Sequence, residues 1–255
     1  MNARATAPAE ATWATLQHDD GQPPATFDTS TLLDLPEPAQ RFLRAAIPAD
    51  TPLASGVVLE MVGEIRLVGR WFPFTARQIL RAGVGFVWQP EVGTRILRFV
   101  GADVLGPDGA RMEFRLHGRI PVVRADGPDI ARSAAGRLAA ETVVWLPQSV
   151  TPQAGGNWRA IDADRAAVAV PVPSGAIDVE VTVDRAGRLT EIGLERWNAS
   201  AKPPAREPFG GTVTATRVVD AVTIAGQGAV GWNWHTATKD DGEFFRYSIT
   251  SARFL

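Results

Sequence analysis

The segment AVGWNWHTATKDDGEFFRYSIT, residues 229–250, gathers two tryptophans, a histidine, a glutamate, two phenylalanines, an arginine and the only tyrosine of the chain. Histidine and glutamate are the usual carriers of proton transfer, and arginine holds anions. A hairpin accounts for most of this clustering. With TKDDG as its turn, Thr238 opposes Glu243, Trp234 faces Tyr247, Trp232 faces Ile249, His235 faces Arg246 and Asn233 faces Ser248. One face is then aromatic and aliphatic and the other polar, as a sheet with one buried side requires. Arg246 disfavours an imidazolium at His235. His235 is therefore read as a neutral sheet histidine, with general acid–base chemistry as the alternative.

Glu141 is the second candidate for catalysis. Ile130, Ala134, Leu138, Glu141 and Trp145 recur at helical steps of three and four, and Arg137 stands one turn before the carboxylate. A carboxyl group among apolar side chains has a raised pKa unless it is paired, which is how enzymes prepare a general acid. Pairing with Arg137 would make it structural or ligand-contacting instead. Tryptophan is abundant: eight residues, among them Trp71, Trp88, Trp145, Trp158, Trp197, Trp232 and Trp234. Indole rings can wall a flat or lipid-like ligand or simply fill a broad core. The residues expected to meet a ligand are Trp71, Trp88, Arg137, Glu141, Trp145, Trp232, Trp234 and Arg246. Arginines also punctuate the strands at Arg66, Arg77, Arg115, Arg119, Arg196 and Arg246, either converging on an anion or lying solvated.

Much chemistry finds no signal. The chain has no cysteine, so disulfides, thiol catalysis and cysteine-ligated metals are excluded. His18, His117 and His235 are scattered, and His18-Asp19-Asp20 is a poor metal cage, so neither metal nor cofactor is expected. Phosphate loops, dinucleotide fingerprints and nucleophile elbows do not occur. A net charge of −2 without a basic run argues against nucleic acid as a partner. No stretch reaches the roughly 20 apolar residues of a membrane span. The N-terminus lacks the apolar core of a signal peptide, and a cytoplasmic protein is the expectation.

Those candidates need elements to position them. Residues 1–33 read as a flexible tail or loose strap, and 34–255 as one domain. A helix is predicted over about 36–46, between opening prolines and Pro48, and a second over about 129–146, before Pro147. On either side of the second helix, short alternating strands and turn signals recur at the spacing of an antiparallel meander. The expected fold is mainly β (α+β): a highly curved antiparallel sheet or half-barrel, with one or two helices packed on its concave side.

The segments LPEPAQRFLRAAIP, GRWFPFTARQ, FVWQPEV, GRLAAETVVWLPQSVTP, VDRAGRLTEIGLERW and WNWHTATKDDGEFFRYSI resemble, in order, a bacterial family of uncharacterised proteins, over residues 34–255. Its architecture is similar to the half-barrel cups of lipoprotein carriers. The resemblance implies a fold and no reaction. The leading expectation is a protein that binds an apolar or amphipathic small molecule in a β cup. An acid–base enzyme using Glu141 and an interaction module with a filled core are the alternatives.

Overall fold

The structure is a computed structural model in which residues 7–18 and 24–255 are described. The first half of the chain supplies β1 (Gly56–Leu67), β2 (Arg70–Arg81), β3 (Gly85–Gly93), β4 (Arg98–Gly106), β5 (Gly109–Leu116) and β6 (Ile120–Asp126). The second supplies β7 (Asn157–Ala160), β8 (Arg165–Val172), β9 (Gly175–Val183), β10 (Leu189–Asn198), β11 (Ala205–Val219), β12 (Val222–Trp232) and β13 (Glu243–Phe254). All thirteen join one antiparallel sheet in the order β6-β5-β4-β3-β2-β1-β13-β12-β11-β10-β9-β8-β7. Each half is a meander, and the two are fused where β1 pairs with β13.

The helices are α1 (Ala7–Gln17), α2 (Glu37–Ala46), α3 (Pro128–Trp145) and the single turn α4 (Lys239–Gly242). Both predicted helices are present, their bounds within a residue or two of the expected ones. Helix α3 connects the two edge strands, β6 and β7, and touches β2 to β6 on one side and β8, β9, β10 and β12 on the other. Laid flat, thirteen strands would span about 60 Å, whereas an 18-residue helix is about 27 Å long. Strands from both halves can reach one helix only if the sheet curls around it. The fold is thus an open half-barrel with α3 along its concave side.

The interior face carries the main core. Leu138, Ala139, Val143 and Trp145 of α3 meet Leu59, Met61, Leu80, Phe86, Val168, Val179 and Val181 of the sheet, and Phe42, Leu43 and Ala46 of α2 are buried in the same cluster. The outer face is covered locally by α1. Ala9 and Leu16 bury against Ile79, Val87 and Ala102, and Arg81 Nε donates to the Leu16 carbonyl at 2.7 Å.

This corrects the reading of residues 7–17 as part of a flexible tail. Alanines at 7, 9, 11 and 14 favour the helix, and Pro8 lies in the first turn, where a missing N–H is harmless. The few apolar residues sufficed because the sheet offers an apolar outer patch, which no local pattern discloses. Phe27 and Leu32 are also buried, so the strap over 24–33 is anchored in the core. Of His18-Asp19-Asp20, the two aspartates lie outside the described residues.

Candidate functional site

Helix α3 places Arg137 and Glu141 on one side, a single turn apart. Arg137 Nε donates to Glu141 Oε1 at 2.7 Å, and its Nη1 donates to Asp103 Oδ2 on β4 at 2.8 Å. Gln78 of β2, fully buried, accepts from Arg137 Nη2 at 3.1 Å and donates to Glu141 Oε2 at 2.6 Å. The guanidinium lies 4.5 Å from the Phe86 ring and 5.0 Å from Trp88. Buried charges are tolerable only when paired and hydrogen-bonded in this way. Burial pushes the Glu141 carboxyl up, against the opposing pull of Arg137 and Gln78. Both carboxyl oxygens of Glu141 are held by donors.

Between α3 and the sheet lies a cavity of about 1000 Å³. Phe72, Trp88, Val92, Phe99 and Phe114 wall it from the first half of the sheet, and Ile192, Phe209, Val230, Phe245 and Tyr247 from the second. Ala140, Val144 and Trp145 form the helical side. The aromatic wall is continuous: Trp88 and Phe245 meet edge-to-face at 5.9 Å, and Trp145 and Tyr247 do so at 5.4 Å. At one end Arg66, Val68 and Arg70 of the β1–β2 turn and Ser200 join the lining. Val68, at φ 48°, is fully exposed there.

Beyond Arg66, Arg70 and Ser200 at that end, and Tyr247 in the wall, the polar residues lining this space are few: Asp103, Arg137, Glu141, Arg196 and Thr212. Arg196, on β10, differs from Arg137. Its Nε donates to the Ser133 carbonyl at 3.1 Å and its Nη2 lies 3.5 Å from Ser133 Oγ. Among the described residues, no carboxylate forms an ion pair with it. The guanidinium lies over Phe209 at 4.5 Å and Trp232 at 5.3 Å. Burial, reinforced by repulsion from Arg137, lowers its pKa to about 10. Gly136 of α3 makes the seat: a Cβ there would stand 2.8 Å from Arg196 Cγ. Mid-helix glycine costs about 1 kcal/mol relative to alanine. Burial also pushes the Tyr247 phenol up, so it is neutral at ordinary pH.

The expected ligand residues divide between the two faces of the sheet. Trp88, Arg137, Glu141 and Trp145 line the cavity. Trp232 stands behind the wall, edge-to-face with Phe209 at 5.0 Å. Trp71 and Arg246 are on the outer face, with the guanidinium 4.3 Å from the ring and 2.7 Å from Glu243. Trp234 is also outside, buried over Gly193 and Gly210. His235 is exposed, its Nε2 3.3 Å from Glu191 Oε2, away from the cavity.

The terminal hairpin accordingly has a different register from the expected one. Tyr247 pairs with Gly228, Arg246 with Ala229 and Phe245 with Val230, while residues 233–242 form a longer connection containing α4. Asn233 and His235, at φ 59° and 58°, turn the chain out of β12 so that Trp234 folds over the outer glycines. A Cβ at Gly228 would meet Thr212 O at 2.3 Å and Tyr247 Oη at 2.9 Å, so tyrosine requires glycine opposite. Sequence reasoning missed Asp103 and Gln78. Asp103 had a local signal, the one carboxylate in the largely apolar strand RFVGADVLG.

Among the described residues, no group of three or more histidines, aspartates and glutamates is placed to hold a metal ion, and no helix is long and apolar enough to cross a membrane.

An open half-barrel with an aromatic-walled cavity along an inner helix defines a cup. Residues 25–246 match DUF6544, a family of unknown function, and the chain belongs to that family. No curated protein matches the sequence. Similar solved structures include a domain from Vibrio parahaemolyticus named for outer membrane lipoprotein sorting, at 11% identity and TM-score 0.44, covering 79% of this chain and 86% of that one. A DUF1329 family protein from Desulfovibrio piger shows 10% identity and TM-score 0.42, with 86% and 90% covered. A LolA superfamily protein from Nitrosomonas europaea shows 8% identity and TM-score 0.43, with 86% and 92% covered.

Proposed function

We propose that this protein binds an apolar or amphipathic small molecule inside the half-barrel. The observation that carries this reading is the cavity of about 1000 Å³ along α3, walled by aromatic and aliphatic side chains with a few convergent polar groups. That is the usual make-up of a small-molecule site, and its volume suits a lipid-like ligand. A core filled by its own side chains fits poorly with such a space. An acid–base role for Glu141 has less support, because Arg137 and Gln78 occupy both its oxygens.

Trp88 and Trp145 in the wall report on occupancy. Delipidated protein titrated with saturated alkyl chains of increasing length should show a saturable change in tryptophan emission. A flat response at every chain length, with no ligand retained in native mass spectrometry, would reject the reading.

A further inference from the structure

Arg196 is a cation on the inner cavity wall that no carboxylate contacts among the described residues; Arg66 and Arg70, which line the end of the cavity, also form no ion pair but are exposed to solvent. Asp103 and Glu141, the carboxylates on the same cavity, are both bonded to Arg137. Of the five N–H groups of Arg196, those on Nε and Nη2 address Ser133, which leaves donors without a protein acceptor. The stem is seated against Gly136, and Phe209 and Trp232 fix the guanidinium from below. A planar guanidinium held in this way presents a fork that fits a carboxylate through two parallel hydrogen bonds. Beside it, Ile192, Phe209 and Val230 offer apolar surface to the remainder of a ligand.

We propose that Arg196 binds the acidic head of the ligand, and that the cup takes singly charged amphiphiles of the alkyl carboxylate class. This rests on the cavity-binding reading above. The carboxylate class follows from the donor geometry: one guanidinium fork matches one carboxylate, and Arg137 is already taken by Asp103 and Glu141. The head lies toward the end of the cavity that Ser200 helps to line, four residues along the chain from Arg196, and the alkyl chain runs along the aromatic wall toward Trp145 and Tyr247.

The test compares dodecanoate, dodecanol and dodecyl phosphate by calorimetry on the unaltered protein and on Arg196→Met. A charged hydrogen-bonded pair predicts that dodecanoate binds about tenfold or more tightly than dodecanol. Arg196→Met should bring dodecanoate down to the level of dodecanol while leaving dodecanol binding in place, with near-ultraviolet circular dichroism confirming the fold. Equal binding of acid and alcohol by the unaltered protein overturns the role of Arg196 and leaves the cavity reading standing. Binding of neither rejects the cavity reading, and this proposal with it. Tighter binding of the phosphate overturns the carboxylate assignment. Acid preference retained in Arg196→Met would assign the head to Arg66 or Arg70 and overturn the role of Arg196; should Arg196→Met not fold, Arg196→Gln takes its place with the same outcomes.

Discussion

Arg137 and Glu141 form an ion pair across one turn of α3, at 2.7 Å, with both side chains largely withdrawn from solvent. The same guanidinium is the only cation bonded to Asp103 among the described residues. Replacing Arg137 with methionine leaves two carboxylates without their counter-charge, and should cost about 3–5 kcal/mol in urea denaturation. A loss below about 1 kcal/mol would mean that the network does not hold α3 to the sheet.

The pH dependence of stability should isolate Glu141. Burial raises its pKa in the folded protein above the ordinary 4.5. Between those two values the folded state holds the proton more tightly than the unfolded chain, so stability falls as pH rises through that window. Glu141→Gln removes this decline. Its stability relative to the wild type should therefore improve as pH is raised from 4.5 upward, read from urea midpoints. A gap that widens in favour of the wild type would show that the hydrogen bonds from Arg137 and Gln78 outweigh burial.

Ala140 faces the cavity from α3 and is nearly buried. Ala140→Phe should fill that space without overpacking, changing stability by under about 1.5 kcal/mol. Ligand-induced tryptophan changes should weaken by about tenfold or more, since a large ring takes the place of the ligand's apolar contacts. Unaltered affinity would place the ligand elsewhere.

Gly136→Ala separates stability from recognition. The substitution gains helix propensity, about 1 kcal/mol, yet its methyl would crowd Arg196 Cγ. Melting temperature should change little, while preference for acidic over neutral ligands declines. Retained preference would show that the arginine stem moves freely.

Leu16, fully buried on α1, lies on the face opposite the cavity. Leu16→Ala should lower stability by about 2–3 kcal/mol and leave ligand affinity unchanged. His235→Ala and Trp71→Ala should likewise spare binding. Loss of affinity in any of these would extend the site through the sheet.

The meander spacing, the two proline-bounded helices and the ion-pairing spacing of Arg137 and Glu141 are local patterns and could be read directly. Trp88 and Trp145 were legible as wall residues because they fall on buried, alternating or helical positions. Trp71, Trp234 and Arg246 were misplaced because residue type says nothing about which face of a strand is inside. A one-residue change of register exchanges the two faces, and the positive-φ residues Asn233 and His235 redirected the chain before the assumed turn. Arg196 was one arginine among several until its neighbours were known.

The amino-acid order by itself determined an antiparallel β protein with a helix bearing Glu141 and Trp145 between two strand-rich halves, since these follow from periodicity and from residues that cannot continue a helix or strand. Only the tertiary structure decided that the sheet curls around α3, that Asp103 and Gln78 close the Arg137–Glu141 network, and that Arg196 stands in an aromatic-walled space without a contacting carboxylate. The reason is physical: curvature and charge pairing join residues from strands far apart in the chain, and no local window contains both partners.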